Sequence, residues 1–99
     1  MDGAVSIGRN MDGIPMADEL WKMFVRGVEK AVEDASGSIH ATTYSRNGRW
    51  NGENEENAVI TFEGLLKTAQ LKSDLSWLAR IYWQDKIALL LGQSELIGA

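Results

Sequence analysis

The chain has 99 residues, of which 44% are hydrophobic and 24% are charged, with a formal net charge of −4 and no cysteine. This length suits one domain with a single core, and the composition is that of a folded globular protein and not of a disordered one. The absence of cysteine excludes disulfides and thiolate chemistry, and it favours a reducing compartment, which we take to be the cytoplasm.

The distribution of charge argues against several kinds of partner. Residues 1–50 hold seven acids and six bases, and residues 51–99 hold seven acids and four bases, so neither half has a basic stripe for nucleic acid. The most apolar segment, 75–91, contains three charged residues and is too short to span a bilayer. The chain has a single histidine and no metal or nucleotide motif, and we predict no metal and no cofactor.

The first fifteen residues, MDGAVSIGRNMDGIP, contain three glycines and the only proline of the chain. Their apolar residues show no helical spacing. We therefore interpret residues 1–15 as a flexible leader that precedes a single helical domain at 16–99. In the alternative interpretation, Ala4, Val5 and Ile7 form a short strand that pairs with a later segment.

A first helix is predicted over residues 17–35. Leu20, Phe24 and Val28 fall on one face at helical spacing, while charged residues occupy the opposite face. Asp18 suits the first turn, where the helix dipole favours a negative charge. The sequence SGS that follows is typical of a helix end.

The segment after this helix predicts a small β-hairpin at 38–51, with an irregular loop as the alternative. It begins with SIHATTYS, which is rich in β-branched residues. The pair Asn47-Gly48 favours a type I′ turn, because both central residues of that turn need a positive φ. In this register Ser45 faces Trp50.

Two further helices are predicted over 55–71 and 74–91, which makes the predicted fold mainly α. In the first of them, Ala58, Phe62 and Leu65 recur at helical spacing, although NAVITF would also suit a strand by composition. In the second, 12 of the 17 residues of LSWLARIYWQDKIALLL are apolar or aromatic. These residues lie on all sides of the predicted helix.

A helix that is apolar on all sides needs cover on all sides, and two other helices supply too little of it. We therefore predict a homodimer in which the third helices of two copies pair. The alternative cover is the segment 38–51 of the same chain. The predicted dimer interface comprises Trp77, Ile81, Ala88 and Leu91.

The stretch SRNGRWNGENEEN is predicted to contribute to a binding site. Tryptophan, tyrosine and arginine dominate binding hot spots, and all three cluster around the predicted hairpin. In the alternative interpretation, the tryptophan of this stretch covers the core and the arginines are solvated. The predicted binding residues are His40, Tyr44, Arg46, Arg49 and Trp50.

These features favour a small non-enzymatic binding or regulatory module that acts as a homodimer through contacts with a protein or a small ligand. The alternative is a small hydrolase or nuclease-like enzyme with a site around His40, Tyr44, Arg46 and Glu53. No nucleophile motif and no glycine-rich phosphate loop support the enzyme. We therefore predict no catalytic residue.

Overall fold

The computed structural model of the chain describes residues 2–46, 49–50 and 53–92. Two helices and eight strands occupy these residues. In chain order they are β1 (Asp2–Gly8), β2 (Asn10–Met11), β3 (Ile14–Pro15), α1 (Asp18–Asp34), β4 (Ser38–Ser45), β5 (Arg49–Trp50), β6 (Glu53–Asn54), β7 (Asn57–Glu63), α2 (Thr68–Ile81) and β8 (Ala88–Gly92).

A four-stranded antiparallel sheet organises these elements, in the order β4-β7-β1-β8. Among the described residues, the strands β1 and β7 lie inside the sheet, and β4 and β8 form its two edges. With the two short hairpins set aside, the order along the chain is βαββαβ, which is the ferredoxin-like or split βαβ arrangement. The fold therefore belongs to the α/β class.

The core lies between one face of this sheet and the two helices. Val5 and Ile7 of β1 and Ile60 and Phe62 of β7 are buried, while Ser6 and Thr61, which lie between them in the two strands, are more exposed. This alternation is expected when a sheet has helices on one face only. The buried residues of α1 and α2 complete the same cluster.

An aromatic cluster joins the two helices to the sheet. Phe24 of α1 stacks on Tyr82 at the end of α2, with ring centroids 4.6 Å apart. Trp21 lies edge-on to Phe24 at 6.1 Å and edge-on to Tyr44 of β4 at 6.4 Å. Such pairs contribute about 1 kcal/mol each beyond the burial of their area. The cluster therefore fixes how α1, α2 and β4 sit together.

Residues 2–8 form an inner strand, so the prediction of a flexible leader over 1–15 is wrong for them. β1 pairs with β7 on one side and with β8 on the other. The alternative interpretation, a strand around Ala4, Val5 and Ile7, describes this segment correctly. The physical reason is that Val5 and Ile7 alternate with less buried residues and reach the core from a strand.

The rest of the predicted leader contains the β2–β3 hairpin. The two strands pair antiparallel across Asp12 and Gly13. Both of these residues have a positive φ, 51° and 79°, as a type I′ turn requires. An Asp-Gly pair is a known sequence signal for this turn, and here it marks a tight reversal within an ordered segment.

The prediction of a mainly α fold with three helices is wrong. α1 lies inside the predicted range 17–35, but the predicted helix at 55–71 is replaced by β7, a connection and the first residues of α2. β7 pairs with β1 and β4 along its two sides. This pairing overrides the helical spacing of the apolar residues, because a strand inside a sheet is stabilised by both of its neighbours.

The predicted helix at 74–91 is also wrong over its second half. α2 ends at Ile81, a turn follows, and β8 begins at Ala88. The apolar residues that would surround one long helix therefore belong to two elements. One is a helix that covers the sheet, and the other is a strand of the sheet. Within the described part of the chain, neither α1 nor α2 is long and apolar enough to cross a membrane.

The predicted hairpin after α1 is replaced by two other pairings. β4 pairs with β7, and Ser45 faces Asn57. β5 pairs with β6, and Trp50 faces Glu53. The predicted pairing of Ser45 with Trp50 is therefore wrong, because β7 is the longer partner and also carries the buried face. The predicted turn at Asn47-Gly48 lies outside the described residues.

Candidate functional site

Three large apolar side chains are exposed on the outer side of the two helices. They are Met23 of α1, at 60% exposure, and Trp77 and Ile81 of α2, at 63% and 45%. Phe24 and Tyr82 follow Met23 and Ile81 in sequence, and their stacked rings bring the two residues to the same level of the helix pair. Trp77 lies one turn before Ile81 on the same side of α2. We call Met23, Trp77 and Ile81 the helix-layer patch.

The close approach of the two helices brings the parts of this patch together. Gly27 of α1 faces Leu78 of α2, and a Cβ atom on Gly27 would lie 3.2 Å from Cδ2 of Leu78. A residue without a side chain thus lets α2 lie directly against α1. Met23 lies one turn before Gly27, next to this contact, so the patch crosses the seam between the helices.

The structure separates the four residues that the sequence predicts as a dimer interface. Trp77 and Ile81 are exposed on α2, Ala88 is exposed on β8, and Leu91 of β8 is half-buried and packs against the core. These residues do not form one helical stripe, because α2 ends before β8 begins. Trp77 and Ile81 remain together on α2, and the sequence pattern missed Met23, which is exposed on α1.

The predicted binding residues are spread along β4 and beyond it. Tyr44 packs edge-on against Trp21 and keeps more than half of its surface exposed. Arg46 is exposed next to the end of β4. Arg49 and Trp50 form β5, and their side chains lie outside the described part of the structure. The described residues of this set therefore do not converge on one site.

His40, the centre of the alternative enzyme site, lies at a bulge in β4. Its Nε2 atom is 3.4 Å from a carboxylate oxygen of Glu63, and both side chains are more than half exposed. The predicted partner, Glu53, belongs to β6, and its side chain lies outside the described part. His40 lines neither the cavity beside the β2–β3 hairpin nor the groove between α2 and β8. This exposed pair offers a substrate no enclosed surface.

A polar cavity of about 430 Å³ lies between the β2–β3 hairpin and the turn that follows α2. Glu55 accepts a hydrogen bond from the backbone N–H of Asn10 at 2.6 Å. The side chain of Gln84 donates to the carbonyl oxygens of Asn10 at 2.8 Å and Tyr82 at 3.1 Å. These bonds hold the hairpin against the end of α2. Small-molecule sites are mostly apolar, and the polar lining of this cavity favours a structural role.

Arg9 connects three segments beside this cavity. Its largely buried guanidinium group donates to the carbonyl oxygen of Met16 at 2.7 Å, to Glu56 at 2.9 Å and to Asp18 at 2.6 Å. These bonds join the end of β1 to the start of α1 and to the chain before β7. The hydrogen bond from Arg9, and then the charge of Arg9, hold the pKa of Asp18 below its ordinary value.

We expect Asp18→Asn to reduce the loss of stability in acid. The folded pKa of Asp18 lies below its unfolded value near 3.8, so its contribution is fully present above that value and is lost as the pH falls through the folded pKa. Urea unfolding at a pH above this window and at one below it should therefore show a smaller loss for Asp18→Asn than for the wild type. Glu19→Gln is the control, because it removes an acid from the same turn. Equal losses in all three proteins would contradict the role of the Arg9–Asp18 pair.

No known protein family matches this chain, and no curated protein is significantly similar to it in sequence. Within the described residues, no group of three or more histidine, aspartate or glutamate side chains is placed to hold a metal ion. Fold and surface together define a small α/β domain of ferredoxin-like connectivity with an exposed apolar patch on its helices.

Proposed function

We propose that the protein is a non-enzymatic binding module whose partner protein docks on the helix-layer patch. The observation that carries this proposal is the exposure of Met23, Trp77 and Ile81 on helices whose other large apolar residues are buried or half-buried. Each large apolar side chain left in water forgoes roughly 1.5–3 kcal/mol of burial. Clustered exposed apolar residues mark interaction surfaces, and tryptophan is enriched among the residues that dominate binding energy.

An amphipathic helix of the partner protein is the occupant that fits this patch best. The patch follows the seam of two helices that lie side by side, and such a seam accepts a third helix through apolar residues three and four positions apart. Arg80 follows Trp77 by three positions and is exposed on the same helix. A partner helix with an acidic flank would therefore gain a favourable rim contact in addition to apolar burial.

Other surfaces of the domain support a binding role less well. The polar cavity is lined by Asn10, Glu55 and Gln84, and the hydrogen bonds that join these residues use groups that a ligand would need. The pair of His40 with Glu63 lies on an open edge of the sheet. We therefore do not propose the hydrolase alternative.

The double variant Trp77→Ala/Ile81→Ala is expected to fold normally and to bind the partner at least tenfold more weakly. Exposed side chains contribute little to folding, within about 0.5 kcal/mol each, whereas removing a binding hot spot costs about 2 kcal/mol or more. Quantitative affinity capture from cells that encode the protein should find partners that the wild type retains and the double variant loses. Titration of the purified partner then measures the ratio of the two Kd values.

Trp83→Ala is the matched control for this experiment. Trp83 is also exposed, at 67%, but it lies in the turn after α2 and lines the polar cavity. Its removal should leave partner binding within about twofold of the wild type, because exposed residues outside the contact have little effect. A partner that binds the double variant as tightly as the wild type would contradict the proposal, as would one that requires Trp83 equally.

A further inference from the structure

The two edges of the sheet differ in how they are protected from another strand. Edge strand β4 contains a bulge between Ile39 and Ala41, and its Thr42 hydroxyl donates to Glu29 of α1 at 2.7 Å. Edge strand β8 has the sequence Ala-Leu-Leu-Leu-Gly, and its pairing with β1 shows no shift of register. Charges, prolines and bulges are the devices that keep edge strands apart. β8 contains none of them.

The outer edge of β8 offers backbone groups that a further strand can pair with. In an antiparallel sheet every second residue of an edge strand directs its N–H and C=O away from the neighbouring strand. Leu90, the central residue of β8, is 72% exposed and faces Ala4 of β1 on the open side of the sheet. A second strand added at this edge would continue the open side without bringing a charge next to Leu90.

A groove of about 270 Å³ borders β8 on the opposite side, between the strand and α2. Its apolar lining comprises Leu75, Ala79, Ile87 and Leu89, and its polar lining comprises Lys72, Ser76, Asp85 and Lys86. A strand that pairs with β8 directs alternate side chains to this side of the sheet. The groove therefore accepts a strand whose alternate residues are apolar.

We infer that this edge and groove bind β8 of a second copy of the chain. In antiparallel pairing about a two-fold axis at Leu90, this residue faces its own copy, and Leu89 faces Leu91 of the second copy. Leu89 and Leu91 of the second β8 then lie on the side of the groove. Its other residues, none of which is charged, lie on the open side of the sheet. Two four-stranded sheets become one continuous sheet. This interface uses the sheet edge and not the helix-layer patch, so it does not depend on the proposed partner.

Charge variants of Leu90 test this inference directly. The wild type should sediment as a dimer at micromolar concentrations. Leu90→Lys and Leu90→Glu should each dimerise at least tenfold more weakly, because like charges would face each other across the axis. An equimolar mixture of the two variants should dimerise again, because lysine then faces glutamate. Leu90 is largely exposed in one chain, so neither variant should lower the midpoint of thermal unfolding of the monomer.

Leu66→Lys is the matched control, because Leu66 is 79% exposed in the connection between β7 and α2. It should dimerise as the wild type does. A monomeric wild type would overturn the inference, and so would a Leu90→Lys variant that dimerises as tightly as the wild type. If both variants are monomeric and their mixture also stays monomeric, a two-fold axis at Leu90 is ruled out and the inference fails.

Discussion

Phe24→Ala is expected to lower the free energy of unfolding by about 4 kcal/mol, because it removes a buried ring and leaves a cavity behind. Phe24 is completely buried and contacts the rings of Tyr82 and Trp21. The ring therefore holds α1 against the end of α2. Since small domains are stable by only about 5–15 kcal/mol, this one substitution should remove a large share of the total.

Met23→Ala is the control for this prediction, because Met23 adjoins Phe24 and is exposed. Its stability should stay within about 0.5 kcal/mol of the wild type. Urea unfolding followed by circular dichroism measures both variants. Met23→Ala should nevertheless weaken binding of the proposed partner. The two variants therefore distinguish an effect on stability from an effect on binding. Equal loss of stability in the two variants would contradict the assignment of Phe24 to the core and Met23 to the surface.

The first helix is predictable from the sequence because its signal is local. Phe24 and Val28 lie on the buried face of α1, with charged residues on the other side. A strongly amphipathic segment of this length has one stable way to bury its apolar face. This helix does not depend on pairing with distant segments, so the sequence alone is enough to predict it.

The strand β7 is wrongly predicted as a helix because apolar residues lie on both of its faces. Ala58, Ile60 and Phe62 face the core, but Val59 lies on the open side of the sheet and interrupts the alternation that would identify a strand. A half-buried valine is well accommodated there, since it has neighbours on both sides in the sheet. That environment depends on β1 and β4, which are distant in sequence.

The end of α2 also lacks a sequence signal. Helices commonly end at glycine in the left-handed conformation, but here Trp83 adopts it, with φ of 51°. The backbone N–H of Gln84 bonds to the carbonyl oxygen of Ala79 at 2.8 Å, and its side chain is held by Asn10. Contacts with the β2–β3 hairpin thus accompany the turn, and no local residue preference indicates it.

The helix-layer patch is only partly predictable for a related reason. Trp77 and Ile81 stand out in the sequence as apolar residues that three helices cannot cover, and both are exposed. Met23 gives no such signal, because it lies outside the main apolar face of α1. Its relation to α2 depends on the packing of the two helices, in which Gly27, one turn after Met23, faces Leu78. Trp50, the centre of the predicted binding site, has a side chain outside the described part of the structure.

Gly3→Ala is expected to lower the free energy of unfolding by about 2–3 kcal/mol, the cost of overpacking a tightly packed position. A Cβ atom on Gly3 would lie 2.3 Å from the backbone oxygen of Leu90 and 2.8 Å from the ring of Phe62. A ring can shift slightly, but the backbone oxygen belongs to β8. The strand itself must therefore move away from β1. Urea unfolding measures the loss of stability, and amide hydrogen exchange should show faster exchange along β8.

Gly92→Ala is the matched control, because Gly92 belongs to the same strand pair and a Cβ atom there would meet nothing within 4 Å. It should leave the stability within about 0.5 kcal/mol of the wild type. Gly3→Ala should weaken both folding and dimerisation, since it displaces the strand that forms the inferred interface. Leu90→Lys should weaken dimerisation alone. A Gly3→Ala protein as stable as Gly92→Ala would mean that β8 does not lie tightly against β1, and the sheet edge on which the inferred dimer depends would then be placed differently.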